Sequence, residues 1–389
     1  MNLIALAIPG FLAFVALEAA LSKKLGRGYY RFNDAISNIG CGLVDQLINV
    51  LTSLLFVVGW VSLGSFAPVP LDRVSPWTWL VAFVALDVAY YTFHRLSHRV
   101  NFLWGAHIVH HQSEDYNLTV SLRQGTVATW VTYAFYLPLA LLGIPIEVWL
   151  VVHGVFQIYQ FLVHTRFVGK LGVLESVFVT PSFHRVHHGR APDELDTNYG
   201  GFLNVWDRMF GSYRTETCEP DYGITTGMES WSPFWANTAY YRQLWAWCRE
   251  LRGVDKLLVW LAPPEWHPDG LEVEVTTPER FDAEPDPAWF PYLTSQLAVL
   301  SVGTIVFLLQ REVWGPAGGV AWVLVLLAAT WGLMRILEGR TEVLRFELVR
   351  TAALSVLAWA SGVPLLLAGL LAGASAALAI RADGVTSGG

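Results

Sequence analysis

Eight of the eleven histidines fall in three tight clusters: His94-Arg-Leu-Ser-His98, His107-Ile-Val-His110-His111 and His184-Arg-Val-His187-His188. Residues three and four apart share one face of a helix, so each cluster can offer two or three imidazoles to one point in space. Imidazole suits iron, zinc and copper. Eight nitrogens are too many for one tetrahedral zinc, which takes four ligands, or three plus water. They fit two adjacent metal ions with positions left open for water, oxygen or substrate. One HxxxH alone is weak evidence, because a single histidine is ordinarily a satisfied polar residue; three clusters on one side of the predicted topology are not explained that way. His164 is a candidate ninth ligand, ending a predicted span at the same face as His98. His153 lies about three turns deeper in that span and reads as a packing residue that hydrogen-bonds a neighbour. His267 sits in the Pro-rich run Pro263-Pro264-Glu265-Trp266-His267-Pro268, and its distance along the chain makes it a poor ligand candidate.

A metal-bound histidine usually donates its other ring N–H to a carboxylate or carbonyl. Asp87 stands seven residues before His94, two turns up the same helix face. An aspartate inside a span is costly and usually functional, so Asp87 is expected to orient a ligand histidine, with a polar contact between helices as the alternative. Glu114, Asp115, Asp196, Asn198 and Asp207 are further candidates. Asp87 and Asn198 are the two candidate catalytic residues beside the nine histidines.

The elements that must hold these groups are long apolar runs. Runs near 20 residues read as membrane spans, and they occur near 3–21, 43–66, 76–94, 125–143, 145–165, 291–310, 317–337, 346–361 and 364–380. The first lacks a basic leading segment and a small-residue cleavage site, so it reads as a retained anchor. With the N-terminus outside, all 25 basic residues except Arg73 and Arg311 fall on the inner side, as the positive-inside rule requires. The histidine clusters then lie at the cytoplasmic face. The expected fold is an all-α, polytopic membrane helical bundle with a cytoplasmic histidine-rich helical cap. Its expected parts are anchor spans over 1–75, a catalytic domain over 76–270, a linker over 271–290 and a four-span membrane region over 291–389. Within the polar stretch 166–289, residues 235–252 mix Trp, Tyr and Leu with Arg and Glu. They read either as a helix lying in the headgroup interface or as an amphipathic helix packed on the domain. Residues 268–289 are Pro- and acid-rich and read as a connection back to the membrane; the tail after Arg381 reads as disordered.

The chain is 54% hydrophobic with a mean hydropathy of +0.42, against 45–50% apolar for an ordinary soluble domain. A formal net charge of −7, with no basic stripe over an aromatic platform, excludes nucleic acid as a partner. Cys41, Cys218 and Cys248 are far apart and form no CxxC pair, which argues against a disulfide framework or a thiolate metal site. No flavin, nicotinamide or haem fingerprint is present. The charges Arg335, Glu338, Arg340, Glu342, Arg345, Glu347 and Arg350 read as anchoring and salt bridges rather than as a transport site.

The histidine series resembles the signature HxxxH, HxxHH, HxxHH of the fatty acid hydroxylase and sterol desaturase superfamily. The similarity continues through His107–Gln124 (HIVHHQSEDYNLTVSLRQ), Gln160-Phe-Leu-Val-His164-Thr, Thr180–Gly189, Asn198-Tyr-Gly-Gly201 and Trp206-Asp-Arg-Met-Phe-Gly211. In this wording it looks most like the alkylglycerol monooxygenase branch, over roughly residues 80–270, with four C-terminal spans that also suit that branch. The resemblance implies metal-ligand roles for His94, His98, His107, His110, His111, His184, His187 and His188. It adds support to His164: other members carry HxxxH where this chain has Gln160 and His164. One departure is Arg99, which follows His98 where the branch often carries an acid; that carboxylate is absent or supplied elsewhere.

The resemblance implies a membrane-bound non-haem di-iron monooxygenase that uses O2 to hydroxylate a lipid C–H bond. In the alkylglycerol case, hydroxylation beside the ether oxygen gives a hemiacetal that breaks into aldehyde and glycerol. A fatty acid or sterol-type hydroxylase or desaturase of the same superfamily is the near alternative. The expected cofactors are two Fe ions, with zinc possible in the purified protein, and O2. Electrons must come from outside the chain, from tetrahydrobiopterin or another small molecule or protein donor, and the lipid substrate from the bilayer. The oligomeric state is left open. The expected location is integral to a membrane, the inner membrane of a bacterium or the endoplasmic reticulum of a eukaryote. From other classes, a zinc hydrolase would want an HExxH pattern, which is missing, and a non-catalytic membrane protein would leave the histidines unexplained.

Overall fold

The computed structural model describes residues 3–50, 52–266, 278–310, 314–340, 344–360, 375–378 and 380. His267, most of the 364–380 run and the tail lie outside the described residues. The N-terminal part is α1 (Leu3–Lys24), α2 (Phe32–Asn49) and α3 (Ser53–Gly64). Next come α4 (Pro76–Arg99), α5 (Asn101–His111), α6 (Thr126–Tyr136) and α7 (Ile146–Val163). The polar stretch folds as α8 (Pro181–His187), α9 (Val205–Phe210), α10 (Pro233–Glu250) and α11 (Asp255–Leu261). The C-terminal part is α12 (Phe290–Gln310), α13 (Gly315–Leu337) and α14 (Leu344–Ala360). Among the described residues there is no strand, only the isolated bridges Phe178–Leu203 and Gly189–Tyr222. The all-helical expectation holds.

By length and apolarity, Ile146–Val163, Pro287–Gln310 and Gly315–Leu337 can cross a membrane, and α2 with α3 makes a fourth if that pair, bent by 55°, is one span. The sequence led us to expect nine. Two of the expected spans are interrupted. The run 43–66 is divided between α2 and α3. The run 125–143 is α-helical only to Tyr136 and continues as a 3-10 turn over Leu137–Leu142, where Pro138 lacks the N–H an α-helix needs.

Two cores position the site. Phe56, Trp60, Leu86, Tyr136, Trp149 and Phe156 pack α3, α4, α6 and α7 together, with the Trp60 and Trp149 rings 5.1 Å apart. Leu47, Trp231, Leu293, Phe307, Leu326 and Leu333 join α2 to α12 and α13. Burying such side chains contributes roughly 1.5–3 kcal/mol each. The outer side of α7 stays apolar and exposed through Leu150, Val151, Val155, Ile158 and Leu162, as a lipid-facing helix does. The described part of the expected linker is pinned rather than loose. Arg280 donates to the Glu114 carbonyl over 2.6 Å, the Phe281 amide donates to the Glu114 carboxylate over 3.0 Å, and Trp231 Nε1 donates to Ala283 O over 2.7 Å.

Candidate metal centre

α4 begins at Pro76, whose missing N–H costs nothing at a helix start, and runs for 24 residues to Arg99. Val100 is extended (φ −134°, ψ 119°) and closes α4 while opening α5. This one-residue corner folds α5 back on α4, so His94 faces His107 with ring centroids 4.7 Å apart and His98 faces His111 at 4.8 Å. His164 caps the C-terminus of α7. α8 is opened by Pro181 and by the Thr180 hydroxyl, which accepts from the Phe183 amide, and it delivers His184, His187 and His188.

All nine candidate ligands come together, and each is at most 8% exposed. They form two groups: His94, His98, His107, His111 and His187, and His110, His164, His184 and His188. Within each group the ligand atoms lie within 4.8 Å of one another. The groups adjoin, since the His111 and His188 rings stack at 4.4 Å. This corrects the expectation that each cluster serves one point. In both HxxHH motifs the i and i+4 histidines share a group and the i+3 histidine joins the other. At 3.6 residues per turn, neighbouring histidines such as His110 and His111 point about 100° apart, so each motif spans both groups.

Main-chain carbonyls fix the rings. Nδ1–H of His94 donates to Tyr199 O (2.8 Å), that of His110 to Arg123 O (3.1 Å), that of His164 to Gln160 O (2.6 Å) and that of His187 to Thr197 O (2.9 Å). A carbonyl only accepts, so Nε2 of each of these rings carries a bare lone pair. Yet His110 Nε2 and His164 Nε2 stand 3.2 Å apart. Two lone pairs cannot hydrogen-bond, and burial, which pushes His110 down to about 4, opposes protonating either ring. A cation between them removes the conflict. The buried Nε2 atoms of His94, His98, His187 and His188, and Nδ1 of His184, have no hydrogen-bond partner. A donor set of neutral imidazoles, buried and aimed inward, fits two divalent metal ions of the imidazole-loving kind.

The two candidate catalytic residues turn out to be positioning residues. Asp87 meets no ligand histidine; its carboxylate accepts from the Phe202 amide (2.9 Å), the Leu203 amide (3.4 Å) and Trp206 Nε1 (2.7 Å). It grips the loop whose Tyr199 carbonyl holds His94. Asn198, with φ 59°, donates to Phe183 O and Arg214 O (2.9 Å each) and accepts from the Arg214 amide (2.7 Å). It staples the same loop to α8. In both cases the histidines already have carbonyl partners, so the side chains act through the loop.

Of the other candidates, Asp207 grips that loop from its far side, accepting from the Tyr199 and Gly200 amides at 2.8 and 2.7 Å. Glu114 and Asp115 pair with Arg31 at 3.2 and 3.4 Å. Asp196 lies 3.7 Å from His98 Nδ1 and 2.6 Å from Arg99. Burial pushes its carboxyl up, but His98 and Arg99 outweigh this and hold it below the usual carboxylate range. Arg99 therefore brings in a carboxylate from another segment. Gln160 holds His164 by its main chain, while its side chain donates to Gly201 O. His153 stacks on Trp149 at 4.6 Å, outside both groups.

Sequence reasoning missed Arg123, which it counted only as a membrane-flanking charge. Arg123 is fully buried and donates to Val109 O (2.7 Å), Ser37 Oγ (2.8 Å) and Gln112 Oε1 (2.9 Å), which sets its own carbonyl against His110. Its place in the run SLRQ was the available signal.

Comparison with known proteins agrees with this picture. A family model described as Fatty acid hydroxylase matches residues 79–212, a stretch that contains all nine histidines. Alkylglycerol monooxygenase of Danio rerio is 34% identical over 367 residues, covering 90% of this chain and 81% of that protein. The Homo sapiens protein of the same name is 36% identical over 313 residues, covering 77% of this chain and 67% of its own length. Ornithine lipid hydroxylase OlsE of Rhizobium tropici is 32% identical over 159 residues, 39% of this chain and 48% of that protein. The first of these alignments necessarily enters the C-terminal helices, beyond the stretch whose wording carried the resemblance. No solved structure matches the chain.

Proposed function

The chain belongs to the fatty acid hydroxylase family, with alkylglycerol monooxygenases among its relatives, and from that premise we propose that it is a membrane monooxygenase. It uses two histidine-held irons and O2 to hydroxylate a lipid C–H bond, with an ether or other alkyl lipid as the leading substrate class. The observation that carries this reading is the pair of adjoining buried groups of five and four histidines, two of them facing each other lone pair to lone pair. When bound, the irons supply the O2 activation and the C–H oxidation. The chain's own residues do the rest. Carbonyls of Tyr199, Arg123, Gln160 and Thr197 lock ring orientation, so little reorganisation is needed when the metals load. Burial keeps water from competing at the reacting centre.

The clusters lie at or just beyond the ends of α4 and α7, so an alkyl chain threading between helices reaches the metals from the bilayer side. In this reading the centre faces the cytoplasm, and an external donor, tetrahydrobiopterin or another reductant, supplies electrons from that side. Purified membranes given O2 and reductant should oxidise alkylglycerol, fatty-acyl or sterol lipids, and His110→Ala should lower product formation at least about 100-fold, the upper range for losing a metal-site group. Absence of product from every lipid class would sink the lipid-oxidation reading, and full activity of His110→Ala would sink the site.

A further inference from the structure

α10 and α11 form a hairpin clamped to the start of the metal-bearing helix α5. Tyr241 donates to Phe102 O over 3.0 Å, Tyr240 donates to Asn101 Oδ1, and Asn101 bonds Val259 O and Ala262 O at 3.0 and 2.9 Å. Its outer side carries an open groove of about 550 Å3, lined by Tyr241, Arg242, Trp245, Arg249 and Trp260. Trp245 is 59% exposed, and Val254, Leu257 and Leu261 beside it are also exposed. Among the described residues neither Arg242 nor Arg249 has an ion-pair or hydrogen-bond partner. Residues 238–262 hold four cations (Arg242, Arg249, Arg252, Lys256) and two carboxylates (Glu250, Asp255), a positive balance in a chain whose formal net charge is −7.

The geometry points to an anionic-phospholipid docking surface in this groove: the guanidinium groups of Arg242 and Arg249 take a headgroup phosphate, while Trp245, Leu257 and Leu261 enter the acyl boundary. Three features favour a membrane lipid as the occupant. The hairpin abuts the α4–α5 corner, where α4 leaves its apolar run, and the exposed side of α4 continues onto it through Leu96 and Phe102. Aromatic rings beside unpaired arginines are the composition of a surface that sits at headgroup depth. Arginine binds phosphate through two parallel N–H donors, and anionic leaflets attract such cations. Of the two alternatives open for residues 235–252, this is the interfacial one, and it deepens the picture of the catalytic half by holding α5 at the membrane surface.

The test uses the full chain in phosphatidylcholine nanodiscs, with or without phosphatidylglycerol, and reads hydrogen exchange over residues 238–262. Phosphatidylglycerol should slow exchange there by roughly 30-fold, the effect of two arginines at an anionic surface. R242Q/R249Q should abolish that response with metal content unchanged, and R242K/R249K should retain part of it. Inorganic phosphate added to phosphatidylcholine discs should leave exchange as it was. The proposal is overturned by indifference to phosphatidylglycerol, by a glutamine variant that responds like the parent, or by phosphate alone reproducing the protection. A hydroxylation assay is not needed, so failure here is distinguishable from failure of the proposed reaction.

Discussion

The facing lone pairs of His110 and His164 are the sharpest chemical statement the chain makes, because neutral buried imidazoles cannot satisfy each other in that arrangement. The nine grouped histidines were legible in the sequence, eight because spacings of three and four betray a shared helix face and His164 because it ends a predicted span at the same side. The partition into five and four was not read from the same spacings, which by themselves suggest one point per cluster; adjacent histidines such as His110 and His111 diverge by about 100° around the helix and so serve different groups. The ring-fixing partners were not legible, because they are main-chain carbonyls and every residue type carries one. Nor did the sequence reveal that Arg99 recruits Asp196 from across the fold. Among the described residues Asp196 is the one carboxylate paired with a ring of the five-histidine group, at 3.7 Å from His98. Asp196→Asn removes its charge and should weaken metal retention by about 10-fold, the low end for groups behind a ligand, as read by competition with a chelator. Unchanged retention would mean that His98 is oriented without it.

At the scale of elements, the centre depends on a loop without regular structure. Residues 196–204 supply the carbonyls of Thr197 and Tyr199, and that loop is gripped by Asp87 from α4 and by Asp207 from α9, the helix that follows it. Asn198 and Asp196 adopt left-handed backbone conformations within it, which are affordable for Asn and Asp where the surroundings impose them. Asp87 was identified as functional by its isolation in an apolar run, but its partner was misassigned because a two-turn offset on a helix cannot show what packs against that face. Asp87→Asn keeps one acceptor and turns an amide N–H toward either Trp206 Nε1–H or a loop amide. A buried donor left facing a donor costs about 1–3 kcal/mol. The variant should melt several degrees lower and hold metal less tightly, while Asp87→Glu, which keeps the acceptors, should recover part of both. A variant with full metal affinity and full stability would contradict the gripping role.

At the scale of the molecule, the three helical regions that look separable in the sequence share cores. Glu338, at the end of α13, accepts from the Trp231 amide at 3.0 Å, and α2 is packed between the histidine-bearing half and α12 and α13. Glu347 and Arg350 pair at 2.7 Å inside the C-terminal helices, as the salt-bridge reading of those charges expected. The number of crossings was less legible than the helices themselves, since a hydropathy run does not show the break between α2 and α3 or the 3-10 turn at Pro138. Metal removal should register globally. Two ions each present at about 100 times their dissociation constants add roughly 5 kcal/mol, so exhaustive chelation should lower Tm by about 6 °C. An unchanged Tm would show that the opposed imidazoles tolerate an empty centre.

All three scales bear on the proposed pair of histidine-held irons. X-ray diffraction from the iron-loaded protein, recorded on both sides of the iron absorption edge, measures that directly. The account predicts two anomalous peaks, one among His94, His98, His107, His111 and His187 and one among His110, His164, His184 and His188. A single peak, or none within these groups, would contradict it.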